Sequence, residues 1–389
     1  MTRCDVAVVG AGPAGAWAAY TLAHGGARVA ILDPSHPREK PCGGGVTGRA
    51  LAQVADAIGD AALPVSVIRS ARFIDSTRGD SAVVPLELEA GDSGPPLVVT
   101  TRAEFDHALL VAAVRAGAAM TPSRLADVEV AHDGARLVTS HGQVHADVVI
   151  GADGSNSLVR RRVARAFPRA QLSTATGFFA HGITCDEIVI ELVADPPGYI
   201  WSFPRPDHLA IGICAQADAG MTVDALRARV ADWIESTRIA EGARLEPYSW
   251  PIPSLDARSF GSLDLAGSRW ALAGDAAGLV DPITREGIYF ALLSGQWIAE
   301  ALISNRFPAD YTARINDEIA PELACAARLK AGFYRPSFIG VFMQALQQSA
   351  AVRGVMLDLV AGRQQYTTLK WRLLKTFEIG LAYRLLARQ

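Results

Sequence analysis

Residues 5–15 read Asp5-Val6-Ala7-Val8-Val9-Gly10-Ala11-Gly12-Pro13-Ala14-Gly15, an apolar run that closes in G-x-G-x-x-G. The run has the composition of a buried strand, and the stretch after Gly12 reads as a helix, so the glycines mark a strand-to-helix turn. Gly10 permits the tight turn, Gly12 lets the backbone approach a pyrophosphate, and Gly15 lets the helix pack closely on the strand. The pyrophosphate then rests on the helix N-terminus, where free N–H groups and the helix dipole favour an anion. A second strand, Arg28-Val29-Ala30-Ile31-Leu32, ends in Asp33. That carboxylate lies about 20 residues beyond the glycines, where a ribose hydroxyl pair needs an acceptor. A glycine-rich turn of an ordinary α/β protein would explain the glycines alone. Strand, turn, helix, strand and acid in this order point to a dinucleotide.

The chain has 389 residues, half of them hydrophobic. That suffices for two or three packed layers and two domains. The net charge of −3 does not favour nucleic acid as a partner. The charge is uneven: residues 310–389 hold 11 basic and 6 acidic side chains, net +5, and the remainder 26 and 34, net −8. A basic C-terminal segment reads either as a solvated helix face or as a surface for an anionic membrane or acidic partner. Cys4, Cys42, Cys185, Cys214 and Cys325 form no C-x-x-C pair, which suits a reducing cytosol better than a disulfide framework. Cys4, Cys185, Cys214 and Cys325 read as core residues. Neither the cysteines nor the eight histidines show metal-ligand spacing, so no metal is expected. Residues 6–27 are uncharged and long enough to span a bilayer, but their glycines and strand–turn–helix pattern assign them to the nucleotide unit. No secretory leader or transmembrane segment is expected.

Residues 34–50 read as a Gly/Pro-rich loop, Pro34-Ser35-His36-Pro37-Arg38-Glu39-Lys40-Pro41-Cys42-Gly43-Gly44-Gly45 at its start, with a helix expected to follow through Asp56. Strand-like alternation comes next over 65–100, broken at Gly91-Asp92-Ser93-Gly94-Pro95-Pro96. A helix is expected over 101–116, with Phe105, Leu109, Leu110, Ala113 and Val114 on one side. Short strands are expected over 125–131 and 135–150, further strands over 175–215 and 243–253, and helices near 222–238 and 286–303. Beyond residue 310 the chain reads as helical, with Phe333, Phe338, Phe342 and Met343 on one apolar helix.

Three further stretches refine the ligand. Arg102 opens a helix, where it can give charge-assisted bonds to a phosphate or flavin edge. Asp153-Gly154 and Gly274-Asp275 each come after a buried strand; singly each is an ordinary strand-end turn. Taken together, Gly10–Gly15, Asp33, Arg102, Asp153-Gly154 and Gly274-Asp275 resemble the FAD-binding set of the p-hydroxybenzoate-hydroxylase-like flavoproteins, over roughly residues 1–60, 100–165 and 265–305. The resemblance implies an α/β fold, α+β overall: a Rossmann-like FAD domain, an inserted antiparallel-sheet substrate domain and a C-terminal helical segment. The expected boundaries are 1–65, 100–165 and 265–305 for FAD, 66–99 and 166–264 for substrate, and 306–389 for the helices.

Within that superfamily, Lys40-Pro41-Cys42-Gly43-Gly44-Gly45-Val46 resembles the P-C-G-G-G loop of geranylgeranyl reductases. Pro197-Gly198-Tyr199-Ile200-Trp201-Ser202-Phe203-Pro204-Arg205 resembles their Y-x-W-x-F-P-K strand, with Arg205 in place of Lys. The run from Gly274 to Ile288 resembles their G-D-A-A-G-x-x-x-P-x-T-G-E-G-I, with Arg285 in place of Gly. Halogenases of the superfamily carry W-x-W-x-I-P instead, which argues against halogenation. The resemblance implies that Gly10, Gly12, Pro13, Ala14, Gly15, Asp33, Lys40, Cys42, Gly43, Gly44, Arg102, Asp153, Gly154, Gly274, Asp275, Gly287 and Ile288 hold FAD. Gly45, Tyr199, Trp201, Phe203 and Arg285 would face the substrate.

The residues themselves bear on this. Tyr199, Trp201 and Phe203 alternate, so a strand puts all three on one face, either lining an apolar slot or filling a sheet core. Arg285 could meet a substrate pyrophosphate or carboxylate, or pair with Glu286 or Asp281. Cys42 is the candidate catalytic residue: a thiol, mostly protonated at neutral pH, could supply the proton that completes a hydride-first reduction. It could equally be a small residue in a tight loop. The expected activity is reduction of a C=C bond in an isoprenoid or similar apolar substrate by reduced FAD, with NAD(P)H or ferredoxin as donor. The alternatives are a monooxygenase acting on an aromatic or polyketide and a non-catalytic flavin- or lipid-binding protein. The C-terminal helices, including the basic amphipathic stretch from Leu369 to Leu386, either cap the substrate tunnel or contact a membrane peripherally; plain helix packing is the simpler reading.

Overall fold

The computed structural model describes residues 2–59, 63–86 and 94–376. Its opening βαβ unit is β1 (Thr2–Val9), α1 (Pro13–His24) and β2 (Val29–Leu32). Then come β3 (Gly45–Thr47), α2 (Gly48–Ile58), β4 (Ser66–Val67), β5 (Ser70–Asp75), β6 (Ser81–Pro85) and β7 (Leu97–Val99). Next are α3 (Arg102–Arg115), β8 (Ala119–Thr121), β9 (Leu125–Ala131), β10 (Gly134–Thr139), β11 (Gly142–Gly151) and α4 (Leu158–Val163). The next stretch holds β12 (Leu172–His181), β13 (Glu187–Ala194), β14 (Pro197–Pro204), β15 (His208–Gln216), α5 (Val223–Thr237) and β16 (Arg244–Pro253). The described residues close with β17 (Ala266–Gly267), β18 (Trp270–Leu272), α6 (Ile288–Ile303), α7 (Ala309–Arg314), α8 (Ala320–Phe333), α9 (Pro336–Gln348), α10 (Ala350–Val360) and α11 (Tyr366–Lys375).

The strands divide into an eight-stranded nucleotide-type sheet, a seven-stranded and mainly antiparallel one, and a small third sheet. In the first, the order is β17-β18-β11-β1-β2-β8, with β9 and β10 attached beside β11. Strands β18, β11, β1, β2 and β8 run parallel. Helices cover a parallel sheet on both faces, which is why β1 and β2 carry near-continuous apolar runs; all four residues of β2 are buried. The second sheet runs β16-β12-β15-β14-β13-β5-β6. It is antiparallel except where β5 lies parallel to β13, from Ser70 beside Glu187 to Asp75 beside Leu192. That pair joins two chain segments far apart in sequence into one sheet. β3, β7 and β4 make a small third sheet. The molecule is thus mixed α/β, with a parallel sheet, a separate antiparallel sheet and C-terminal helices.

The structure corrects several expectations. Val114 is 46% exposed, while Phe105, Leu109, Leu110 and Ala113 are buried. Residues 135–150 make two strands of a hairpin, β10 and β11, paired from Thr139–Gly142 inward. Phe333 ends α8, and Phe338, Phe342 and Met343 lie on α9, because Pro336 starts a new helix. Cys185 is exposed and Cys325 half-buried; only Cys4 and Cys214 belong to the core. Cys185 sits in the turn before β13, where its thiol donates to Glu187 O. The break at Gly91–Ser93 and the part of the basic stretch from Phe377 to Leu386 lie outside the described residues. Among the described residues no helix is long and apolar enough to cross a membrane.

Candidate active site

The two large sheets meet over a cavity of about 660 Å³. One end lies against the β1–α1 turn, where Gly10, Gly12, Pro13 and Ala14 form the wall. Gly10 has φ +101°, and a Cβ there would stand 2.4 Å from Ala152 O. A Cβ on Gly15 would stand 1.9 Å from Gly10 O, so Gly15 lies behind the wall and lets α1 close on the turn. Gly12 differs: its φ is −70°, and its nearest neighbours would be His36 Nε2 at 3.8 Å and Asp106 Oδ2 at 4.0 Å. The space above Gly12 belongs to the cavity. No side chain caps α1, so its first N–H groups face a bare cradle, which fits a pyrophosphate.

Asp33 closes the adjoining wall, and its carboxylate is a hub. Its Oδ2 accepts from Ala11 N at 3.0 Å and lies 2.7 Å from His36 Nδ1; its Oδ1 accepts from Ser35 N at 2.8 Å and His36 N at 3.0 Å. His36 Nε2 in turn lies 3.3 Å from Asp106 Oδ2, and Arg102 holds Asp106 with a fork at 2.9 and 2.8 Å. Arg102 thus opens α3 as the sequence predicts, but its guanidinium serves Asp106. Sequence reasoning missed His36 and Asp106. The i,i+4 spacing of Arg102 and Asp106 on a helix was the available signal.

Burial opposes the charge on His36, but Asp106 and Asp33 outweigh it and raise its pKa above the ordinary histidine value. Burial also pushes both carboxyls up; His36 and Arg102, with the backbone donors at Asp33, hold them below the usual range. A group raised in the fold adds stability that is complete below its unfolded value, about 6.5, and lost as pH climbs through the raised value. The carboxylates' share is lost only in acid. The melting-temperature gap between the wild-type protein and His36→Ala is therefore expected to be widest at about pH 5–6 and to narrow in alkali. Thermal melts across pH test this, and a gap that does not change with pH removes His36 as a charged bridge.

Opposite the cradle, Asp275 Oδ2 accepts from Lys40 Nζ at 2.8 Å, and both line the cavity with Gly287 and Ile288. The N-terminus of α6 at Gly287 has no side-chain cap either. Gly274 lies behind this wall, against Ala291 and Ala14. Asp153 lines the cavity beside Gly154, yet both its oxygens serve α4: Oδ1 accepts from Ser157 Oγ at 2.5 Å, Oδ2 from Leu158 N at 2.6 Å. Burial raises its pKa despite these donors.

The Cys42 loop crosses between the sheets, with Cys42, Gly43, Gly44 and Gly45 on the cavity wall. Gly44 has φ +85°, and a Cβ there would meet Thr100 O at 2.2 Å. Gly44 N donates to Cys42 Sγ at 3.4 Å. Arg205, fully buried at the end of β14, holds the loop from the other side: Nη2 donates to Cys42 O at 2.6 Å, and Nη1 pairs with Glu39. Glu39 accepts from Arg102 N at 3.2 Å and Ala103 N at 3.1 Å. Neither Glu39 nor Arg205 was among the expected site residues.

Tyr199, Trp201 and Phe203 line the cavity from β14, with the first two rings 5.8 Å apart and Phe203 against Gly43. Beyond them the cavity continues as an apolar arm walled by Phe73, Leu97, Ile188, Leu192, Phe333 and Met356. Arg285 stands on the wall with φ +63°, a conformation that costs a non-glycine residue about 1–2 kcal/mol. It pairs with neither Glu286 nor Asp281. Glu286 is held by Arg49 Nη2 at 2.6 Å, and Asp281 Oδ1 accepts from Ile283 N and Thr284 N. Arg285 Nη1 instead donates to Ser254 Oγ at 2.6 Å, and its buried Nε has no partner. Lys330 Nζ reaches the same Ser254 Oγ at 2.7 Å and Gln216 Oε1 at 2.6 Å. Burial, helped by the Arg285 charge, lowers its pKa to about 7.

Comparison with known proteins agrees with this architecture. Residues 3–292 match the family model described as FAD binding domain. The chain is 31% identical over 365 residues to a digeranylgeranylglycerophospholipid reductase of Methanothrix thermoacetophila, covering 86% of this chain and 88% of that one. It is 32% identical over 318 residues to a geranylgeranyl diphosphate reductase of Rhodobacter capsulatus, covering 78% and 75%, and 29% identical to a menaquinone reductase of Mycobacterium tuberculosis, covering 92% and 90%. A geranylgeranyl bacteriochlorophyll reductase-like protein of Thermoplasma acidophilum shares the fold, with a TM-score of 0.79 at 22% identity over 97% of this chain and 100% of that one.

Proposed function

The chain belongs to the FAD-binding-domain family, as a FAD-dependent oxidoreductase of the geranylgeranyl-reductase-like group, and from that premise we propose that it saturates a C=C bond in an isoprenoid or similar apolar substrate. The observation that carries this is the continuity of the cavity, which runs from the bare Gly12 cradle to the apolar arm beyond Tyr199, Trp201 and Phe203. In this reading residues 1–65, 100–165 and 265–305 serve FAD, and 66–99 and 166–264 serve the substrate.

The α1 N-terminus would take the pyrophosphate, Asp33 the ribose, and Asp275 with the α6 N-terminus the ribitol and ring. Reduced FAD, when bound, supplies a hydride and its electron pair. The aromatic row orients the tail, and the apolar arm excludes water. Saturation also needs a proton at the second carbon. In this reading Cys42 gives it, and what supports the role is that Cys42 lies on the cavity wall, that its sulfur accepts from Gly44 N at 3.4 Å, and that its partial exposure lets a solvent proton replace the one given up.

The test is anaerobic. FAD-loaded protein reduced with dithionite should be reoxidised on mixing with geranylgeranyl diphosphate or a menaquinone, and mass spectrometry should find product with two added hydrogens per bond. Reoxidation that needs oxygen and yields an oxygenated product overturns the reductase reading in favour of a monooxygenase. In the same assay Cys42→Ala is expected to keep its FAD and lose about 100-fold or more in turnover. Unchanged turnover removes Cys42 from the mechanism.

A further inference from the structure

Arg285 stands at the aromatic end of the cavity with Lys330, whose pKa burial lowers to about 7, behind it, and among the described residues neither has an acid within ion-pair distance. Arg285 and Lys330 share Ser254 Oγ, Lys330 adds Gln216 Oε1, and the Cys214 side chain also lies against Arg285; none of these partners is a carboxylate. Asp281 and Glu286, the acids on the same strap, are committed elsewhere. Among the described residues neither cation has a carboxylate within 4.0 Å. The Arg285 Nε–H is buried without a partner although Arg285 lines the cavity. A buried charge without a counterion is costly, as is a backbone in the left-handed region at a non-glycine residue. Both are retained at one residue, which suggests that a ligand meets it.

We propose that Arg285, backed by Lys330, is an oxyanion-binding subsite, so that the substrate is an apolar chain bearing an ionised oxygen group, a carboxylate or a phosphate. The inference rests on the reading of the arm as an apolar-substrate pocket. A guanidinium with Nη1 already engaged still presents the edge formed by Nε and its other terminal nitrogen, and that fork matches the two oxygens of a carboxylate or phosphate. Tyr199, whose hydroxyl donates to Thr284 O at 2.8 Å, fixes the strap from which Arg285 projects. Gln216 and Ser254 hold the Lys330 ammonium behind it, where it adds field without entering the cavity.

The position allows a clean test, because glycine suits φ +63° better than arginine does and Arg285→Gly should fold. FAD-loaded wild-type, Arg285→Gly and Arg285→Lys proteins are titrated with farnesoate, farnesyl monophosphate and farnesol, binding being read from the fluorescence of cavity tryptophans Trp201 and Trp250. Wild type is expected to bind at least one anionic probe about tenfold tighter than farnesol. Arg285→Gly should lose that preference while its farnesol affinity stays within about twofold; Arg285→Lys should keep part of it. The better of the two anions identifies carboxylate or phosphate. Equal binding of all three by the wild-type protein, or an unchanged preference in Arg285→Gly, overturns the subsite alone. Failure of all three to bind wild type overturns the apolar-pocket reading and the subsite with it.

Discussion

Gly12→Ala and Gly15→Ala are expected to fail in opposite ways. The first should fold with an unchanged melting temperature in its FAD-free form and bind FAD on the order of 100-fold more weakly, about 2.8 kcal/mol. Backbone at φ −70° accepts alanine, and no atom lies within 3.8 Å of the new Cβ, so the methyl occupies only the cradle. The second should lose about 2–4 kcal/mol of fold stability whether or not FAD is added, because its Cβ would stand 1.9 Å from Gly10 O and α1 must move off β1. Denaturant unfolding and flavin fluorescence separate the two. Full FAD affinity in Gly12→Ala would refute the cradle as the pyrophosphate site. Wild-type stability in Gly15→Ala would show that the helix can retreat without cost.

The same glycines show what a sequence can reveal. Gly10, Gly12 and Gly15 are legible because their roles depend on neighbours a few residues away. The strand before them is legible because a doubly covered parallel strand is apolar throughout. The aromatic row on β14 comes from the period-two geometry of a strand. What was not legible depends on contacts across the chain. The Asp33 carboxylate was found by its spacing, but its bridge to Asp106 through His36 joins residues 70 positions apart. Val114 lies nine residues beyond Phe105, about two and a half helical turns, so it faces away from it. Apolar composition alone could not say so. The place of Arg285 in the family motif marked it as a departure, yet only the backbone reveals that it occupies a glycine's conformation.

Arg205 shows the same limit and carries the other large effect. Arg205→Ala is expected to cost about 3–5 kcal/mol, the usual loss on breaking a buried ion pair, and to lower the melting temperature by roughly 10 °C. The side chain is fully buried, and it holds Glu39, Cys42 O and Gly43 O, lies 3.4 Å from His208 Nε2 and stacks over the Phe179 ring, 4.9 Å away. Without it Glu39, itself bound to the first N–H groups of α3, keeps a charge with no cation beside it. Arg205→Lys separates charge from shape. An ammonium can meet Glu39 or Cys42 O but cannot fork between them, so this variant should keep most of the stability and release the loop. The readout is Cys42 itself: alkylation by iodoacetamide, with mass spectrometry of its peptide, should be faster in Arg205→Lys than in wild type. If Arg205→Ala melts within about 2 °C of wild type, or if Cys42 reacts at the same rate in Arg205→Lys, Arg205 does not hold the loop. A loop held from the antiparallel sheet would couple the two halves of the cavity, since one guanidinium at the end of β14 holds both the loop of the thiol proposed as proton donor and, through Glu39, the α3 N-terminus.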